Sequence, residues 1–155
     1  MPNLAAELTL LTSFQDADPL GIIYHGNYFR YFEEARRALM DKIGYGYLEM
    51  KESGYMYPVS ETRVKFIQPI RFQHRIRVVA ELEEWENRIL VRYAIYDAES
   101  GKRLTRAQTT QVAVRVDTGE LCLVTPEAFR NRLRAFHAGQ SPQVPAAPAR
   151  AGGIN

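Results

Sequence analysis

An α+β fold, with an antiparallel sheet wrapped around one long helix, is predicted for this 155-residue chain by three observations. From Tyr28 to Ile43 the apolar residues Tyr28, Phe32, Ala35, Leu39 and Ile43 recur every three or four positions, with charged residues between them, which spells an amphipathic helix. After about residue 60 the apolar period changes to two and holds through consecutive runs, the mark of strands with one face on a core. The links between these runs are short turns, which makes neighbouring strands antiparallel.

Taken in order, Ala6 to Ser13 carries Leu8, Leu10 and Leu11 and predicts a half-buried first strand that delivers Asp16 and Asp18 to a turn built by Pro19 and Gly21. Asn27 stands where a helix cap is wanted, and the helix ends near Gly44. Gly44 to Pro58, rich in glycine and tyrosine, predicts a short helical turn and a loop over a pocket. Strands follow around Thr62–Phe66, Ile76–Leu82, Ile89–Ile95 and Thr105–Val116, with Asn87-Arg88 as a tight hairpin and Glu99–Lys102 as the next turn. Pro69 cannot donate to a ladder and interrupts the pattern. Pro126, at a first-turn position, opens a short last helix from Glu127 to about His137. Residues 1–137 thus read as one domain, and 138–155 as a proline- and alanine-rich disordered tail. One helix cannot cover a whole sheet, so a partner subunit is expected.

Composition narrows the function. The chain is 46% hydrophobic, with 20 basic against 18 acidic side chains spread without long same-sign blocks, so no nucleic-acid footprint is indicated. A single cysteine, Cys122, excludes an internal disulfide and suits a reducing compartment. No leader pattern and no membrane-spanning apolar run is present, so a soluble cytoplasmic protein is expected.

The chemistry concentrates in Phe14-Gln15-Asp16-Ala17-Asp18-Pro19-Leu20-Gly21-Ile22-Ile23-Tyr24-His25-Gly26-Asn27-Tyr28, which sets a carboxylate and an imidazole around a strand-to-helix junction. Free N–H groups at the helix start favour negative charge on a nearby oxygen. On residue types alone Asp18 is either a turn aspartate bonded to its own backbone or a reactive carboxylate. His25 is either structural or functional.

This run, followed by Phe32-Glu33-Glu34-Ala35-Arg36 and later by Phe66-Ile67-Gln68-Pro69-Ile70-Arg71-Phe72, resembles the hotdog-fold acyl-CoA thioesterases of the 4-hydroxybenzoyl-CoA thioesterase and YbgC type. The resemblance implies a hotdog fold, a dimer whose two sheets join, often paired into a tetramer, and thioester hydrolysis without metal or redox cofactor. It puts the catalytic carboxylate on Asp18, the oxyanion-binding N–H on the His25 backbone, and the His25 side chain where it orients water or protonates the leaving sulfur. Asp16 is then a turn or capping residue. Tyr24, Gly26, Asn27 and Tyr28 fall around the substrate. Tyr57, with the other tyrosines of its stretch, either lines an acyl tunnel or packs the core.

Arg63 and Arg71, with Lys65, Arg75 and Arg77, are candidates for coenzyme A phosphates, since charge-assisted bonds to phosphate favour arginine. Glu33 and Glu34 read as a solvated or interface helix face, and Cys122 as a bystander. Gln73-His74 departs from the acidic residue of many relatives. The expected substrate is an acyl-CoA, or an acyl group on a carrier protein. A hotdog hydratase or dehydratase is the alternative enzyme, and a non-catalytic acyl-binding partner of an acyl-carrier or envelope complex the alternative binder.

Overall fold

The computed structural model describes residues 3–139; the expected tail, from 140 on, lies outside the described residues. Strand β1 (Ala5–Leu11) leads through two one-turn 3-10 segments (Phe14–Asp16 and His25–Asn27) into helix α1 (Tyr28–Lys42). A short helix α2 (Tyr47–Ser53) follows, then strands β2 (Tyr55–Met56), β3 (Val59–Phe66), β4 (Arg75–Glu84), β5 (Ile89–Asp97), β6 (Arg103–Gln111), β7 (Ala113–Arg115) and β8 (Leu121–Cys122), and helix α3 (Glu127–His137). Five strands form one antiparallel sheet in the order β1-β4-β5-β6-β3, and β2-β7-β8 form a small second one.

Sheet alternation decides which residues meet the helix. Ile76, Val78 and Ala80 of β4 and Ile89, Val91, Tyr93 and Ile95 of β5 are buried, and α1 lays Tyr28, Tyr31, Phe32, Ala35 and Leu39 on them. A polar chain is enclosed in the same layer. Arg36 donates to the Tyr93 hydroxyl at 3.3 Å, and that hydroxyl lies 2.8 Å from Thr109 Oγ1. Helix α3 buries Phe129 and Leu133, with Phe129 beside the rings of Tyr45 and Tyr57.

The expected α+β hotdog arrangement is present, with three local corrections. The strand predicted over Thr105–Val116 divides at Val112, whose N–H turns to the Pro58 carbonyl, so β7 pairs with β2 and β8 instead of β3. Asn27 occupies the cap position in helical conformation without a capping bond; its amide donates to the Asp16 carbonyl at 2.9 Å. Pro126 stands at the cap itself, one residue before the helix. Among the described residues no helix is long and apolar enough to cross a membrane.

Candidate active site

Strand β1 ends at Leu11, and Ser13 caps the following turn, its Oγ accepting from the Gln15 N–H at 3.2 Å. Asp16 ends this turn, so of the turn or capping role expected for it the first applies, and its side chain caps no N–H. Its side chain is buried, and Oδ2 accepts from the Arg30 guanidinium and, at 3.2 Å, from the Tyr31 hydroxyl. The chain then makes a small hairpin, with Ala17 bridged to Ile23 and the Asp18 N–H donating to the Ile22 carbonyl at 2.8 Å.

Asp18-Pro19-Leu20-Gly21 closes that hairpin. The Gly21 N–H donates to the Asp18 carbonyl at 3.0 Å, proline fixes the second position, and Gly21 takes φ 78°, a conformation that glycine adopts without strain. Asp18 is half-buried, and Oδ1 accepts from the Leu20 N–H at 2.8 Å. That bond is the turn role anticipated for Asp18. It fixes the direction of the carboxylate and engages one of its two oxygens.

Tyr24 N–H donates to the Asp16 carbonyl at 2.9 Å, and His25 opens the 3-10 turn that runs on into α1. The first N–H groups of this helical stretch, that of His25 among them, have no intrahelical acceptor and carry its positive end. The exposed Tyr24 ring packs on His25 (centroids 4.3 Å apart), and a Cβ on Gly26 would come within 2.6 Å of that ring and push it aside. Tyr28 is buried edge-on against Phe66 at 4.9 Å, and burial raises its phenol pKa.

The structure thus brings Asp18, Tyr24, His25, Gly26, Asn27 and Tyr28 together on one loop and helix start. Arg71 joins them, because Ile22 is bridged to Arg71 and the Ile23 N–H bonds to the Ile70 carbonyl at 2.7 Å. Two expected residues lie elsewhere. Arg63 is on the sheet's outer face, 74% exposed at the side chain and paired with Glu61 at 2.7 Å, in a basic groove shared with Lys65, Arg92, Arg103 and Arg106. Tyr57 is buried at the wall of a cavity of about 450 Å³ between α1, α2 and the start of β3. Arg36, Arg37 and Met40 of α1 line this cavity, 8 to 12 residues beyond Tyr28, hence ~12–18 Å along the helix from the loop.

Three of the other candidates sit in structural settings. Glu33 accepts from the Tyr47 hydroxyl at 2.9 Å, Arg77 pairs with Glu7 and stacks on Tyr96, and Cys122 lies in β8 opposite Ala113. His74 bonds to Asp97 at 3.1 Å and pins the end of β1 through Thr12, an anchoring role. Sequence reasoning missed the Asp16 partners, though one signal was available: Arg30 puts a cation in the first turn of a helix, where the dipole opposes it unless a carboxylate is supplied from outside.

A family model described as the thioesterase-like superfamily matches residues 12–147. The chain belongs to this thioesterase superfamily. A 1,4-dihydroxy-2-naphthoyl-CoA hydrolase of Thermosynechococcus vestitus is 27% identical over 105 residues, 66% of this chain and 71% of that one. The crystal structure of a DHNA-CoA thioesterase from Staphylococcus aureus superposes with a TM-score of 0.74 at 25% identity, over 88% of this chain and 95% of that one. An Asp-to-Asn variant of a 4-hydroxybenzoyl-CoA thioesterase, complexed with 4-hydroxybenzoyl-CoA, gives a TM-score of 0.73 at 19% identity, over 83% and 98%. That last likeness speaks to the fold alone. Thioester hydrolysis is the activity of this hotdog enzyme.

Proposed function

We propose that the enzyme hydrolyses acyl-CoA thioesters at the Asp18 loop, with the Asp18 carboxylate as nucleophile or general base and the His25 backbone N–H receiving the charge that develops on the carbonyl oxygen. What carries this reading is the pairing of a carboxylate held in direction by one N–H bond with helix-start N–H groups on the same loop. Asp16 is the weaker candidate, because its carboxylate is buried against a guanidinium. Asp18 acts in one of two ways. It adds an oxygen to the thioester carbon, expelling coenzyme A thiolate and leaving an anhydride that water cleaves, or it takes a proton from the water that adds. Both end in free acid and thiol. The oxyanion donor contributes ~2.7–4 kcal/mol in such sites. The His25 imidazole, on the same residue as that N–H, then protonates the departing sulfur.

The acyl group enters the cavity beside Tyr57, and the separation along α1 supports entry across a dimer, from the loop of one copy into the cavity of the other. Strand β3 is a sheet edge, and antiparallel pairing of two β3 edges puts the Phe66 end of one copy, next to its Asp18 loop, beside the Val59 end of the other, next to its cavity. The relatives' aryl substrates support starting the substrate panel with hydroxyaryl-CoAs. Free thiol release measures turnover. In Asp18→Asn the amide oxygen still accepts from Leu20, so the loop stays formed while kcat is expected to drop at least ~10³-fold. Full activity in that variant would refute the assignment.

A further inference from the structure

We propose that Asp16 is a positioning residue that sets the distance between the Asp18 carboxylate and the His25 N–H. This rests on the roles given above to Asp18 and His25. One residue gathers four donors from the segment that opens the helix: its carbonyl takes the Tyr24 N–H and the Asn27 amide, both at 2.9 Å, and its carboxylate takes Arg30 and the Tyr31 hydroxyl. Two residues on, Asp18 is tied to the same hairpin through the Ile22 carbonyl. The loop bearing the Asp18 carboxylate and the turn bearing the oxyanion donor are therefore joined through Asp16.

Stability alone is a poor account of this cluster. Burying the Asp16 carboxylate costs desolvation, and pairing it with a half-exposed guanidinium returns little stability. Two aspects fit positioning better. Arg30 lies in the first turn, against the helix dipole, so on α1 alone it is unfavourable and becomes favourable only when the loop brings Asp16 to it. Its side chain is 53% exposed while that of Asp16 is 7% exposed, so the arginine reaches from solvent to a fixed carboxylate. The bond registers helix against loop, and a misplacement of about an ångström between reacting groups costs on the order of a hundredfold in rate.

The test is steady-state kinetics of Asp16→Asn, Arg30→Met, the double variant and Arg30→Lys, on the acyl-CoA that wild type turns over best, with melting temperatures measured alongside and Asp18→Asn as reference. Positioning predicts kcat lower by about tenfold to a hundredfold in both single variants, with KM within about threefold. It also predicts that the double variant is no worse than the poorer single one, and that Arg30→Lys recovers part of the rate. If Asp16→Asn does not fold, Arg30→Met, altered at a largely exposed side chain, carries the test by itself. Wild-type kcat in a folded Arg30→Met, or a loss confined to KM, overturns the proposal. Retained activity in Asp18→Asn would instead remove the catalytic assignment on which it rests.

Discussion

Gly21 shows how a single backbone conformation sets the chemistry of the loop. Asp-Pro-x-Gly is legible from sequence because each residue has its own turn preference: aspartate first, proline second, glycine last. What the sequence does not reveal is that the Gly21 Cα faces the Phe72 ring, which an added Cβ would touch at an ordinary 3.4 Å. Gly21→Ala therefore has room beside Phe72 and meets one penalty, the ~1–2 kcal/mol that an L-residue costs at φ 78°. The expected result is a melting temperature lower by about 3–6 °C by circular dichroism, with kcat reduced because the turn that aims Asp18 has opened. Unchanged stability would mean that the loop contributes little to the folded state. The same limit explains Asp16: its own neighbours suggest a turn residue, whereas its partners lie 14 and 15 positions on and become visible only once the chain doubles back.

Strand β3 is the element on which the proposed dimer depends. Its period of two is plain in Thr62, Val64 and Phe66, and the structure keeps it, but periodicity does not say which strand ends at an edge. Order did not follow sequence: β3 pairs with β6, which leaves its other side open, with Val59, Phe66 and Ile67 exposed along it. Glu61, Arg63 and Lys65 put charge along the middle of this edge, so pairing there would rest on backbone bonds and on the apolar residues at its two ends. Val59→Glu places a carboxylate at the end that would meet the partner's Phe66 and Ile67. Analytical ultracentrifugation is expected to show the dimer weakened at least tenfold in Kd, by the cost of desolvating a charge at an apolar seam. Activity should fall with the dimer, because the cavity and the loop then belong to separated copies. A dimer of wild-type strength would move the interface to another face. The break in the predicted last strand has a related cause: Thr105, Thr109, Thr110 and Gln111 are polar yet buried, so the pattern of β6 carries no mark of where it leaves the sheet.

Across the whole molecule the parts are joined by tyrosines. Tyr31 ties α1 to the Asp16 loop, and the hydroxyls of Tyr45 and Tyr57, 2.8 Å apart, join the end of α1 to β2 and β3 beneath Phe129 of α3. The sequence shows the tyrosine-rich stretch without its purpose; the structure divides it, Tyr45 packing the core and Tyr57 standing at the cavity wall. Burial disfavours a phenolate, so Tyr31 is pushed up to about 12, with the Asp16 charge adding to the effect, and Tyr57 is raised further by burial and its bond to Tyr45. The consequence for stability has a definite sign. In the unfolded chain these phenols lose their protons near the ordinary value of 10, while the native state keeps them, so above that pH the unfolded state binds fewer protons and stability falls. The contribution is complete below pH 10 and is lost as pH rises through about 12. Urea midpoints followed by circular dichroism are expected to decline over this window, with the buried phenolates appearing at 295 nm only as structure is lost. Tyr57→Phe, which has no proton to give up, should shift the decline to higher pH. Titration of every tyrosine near pH 10 in a protein that stays folded would show that the phenols are not sealed into these joints.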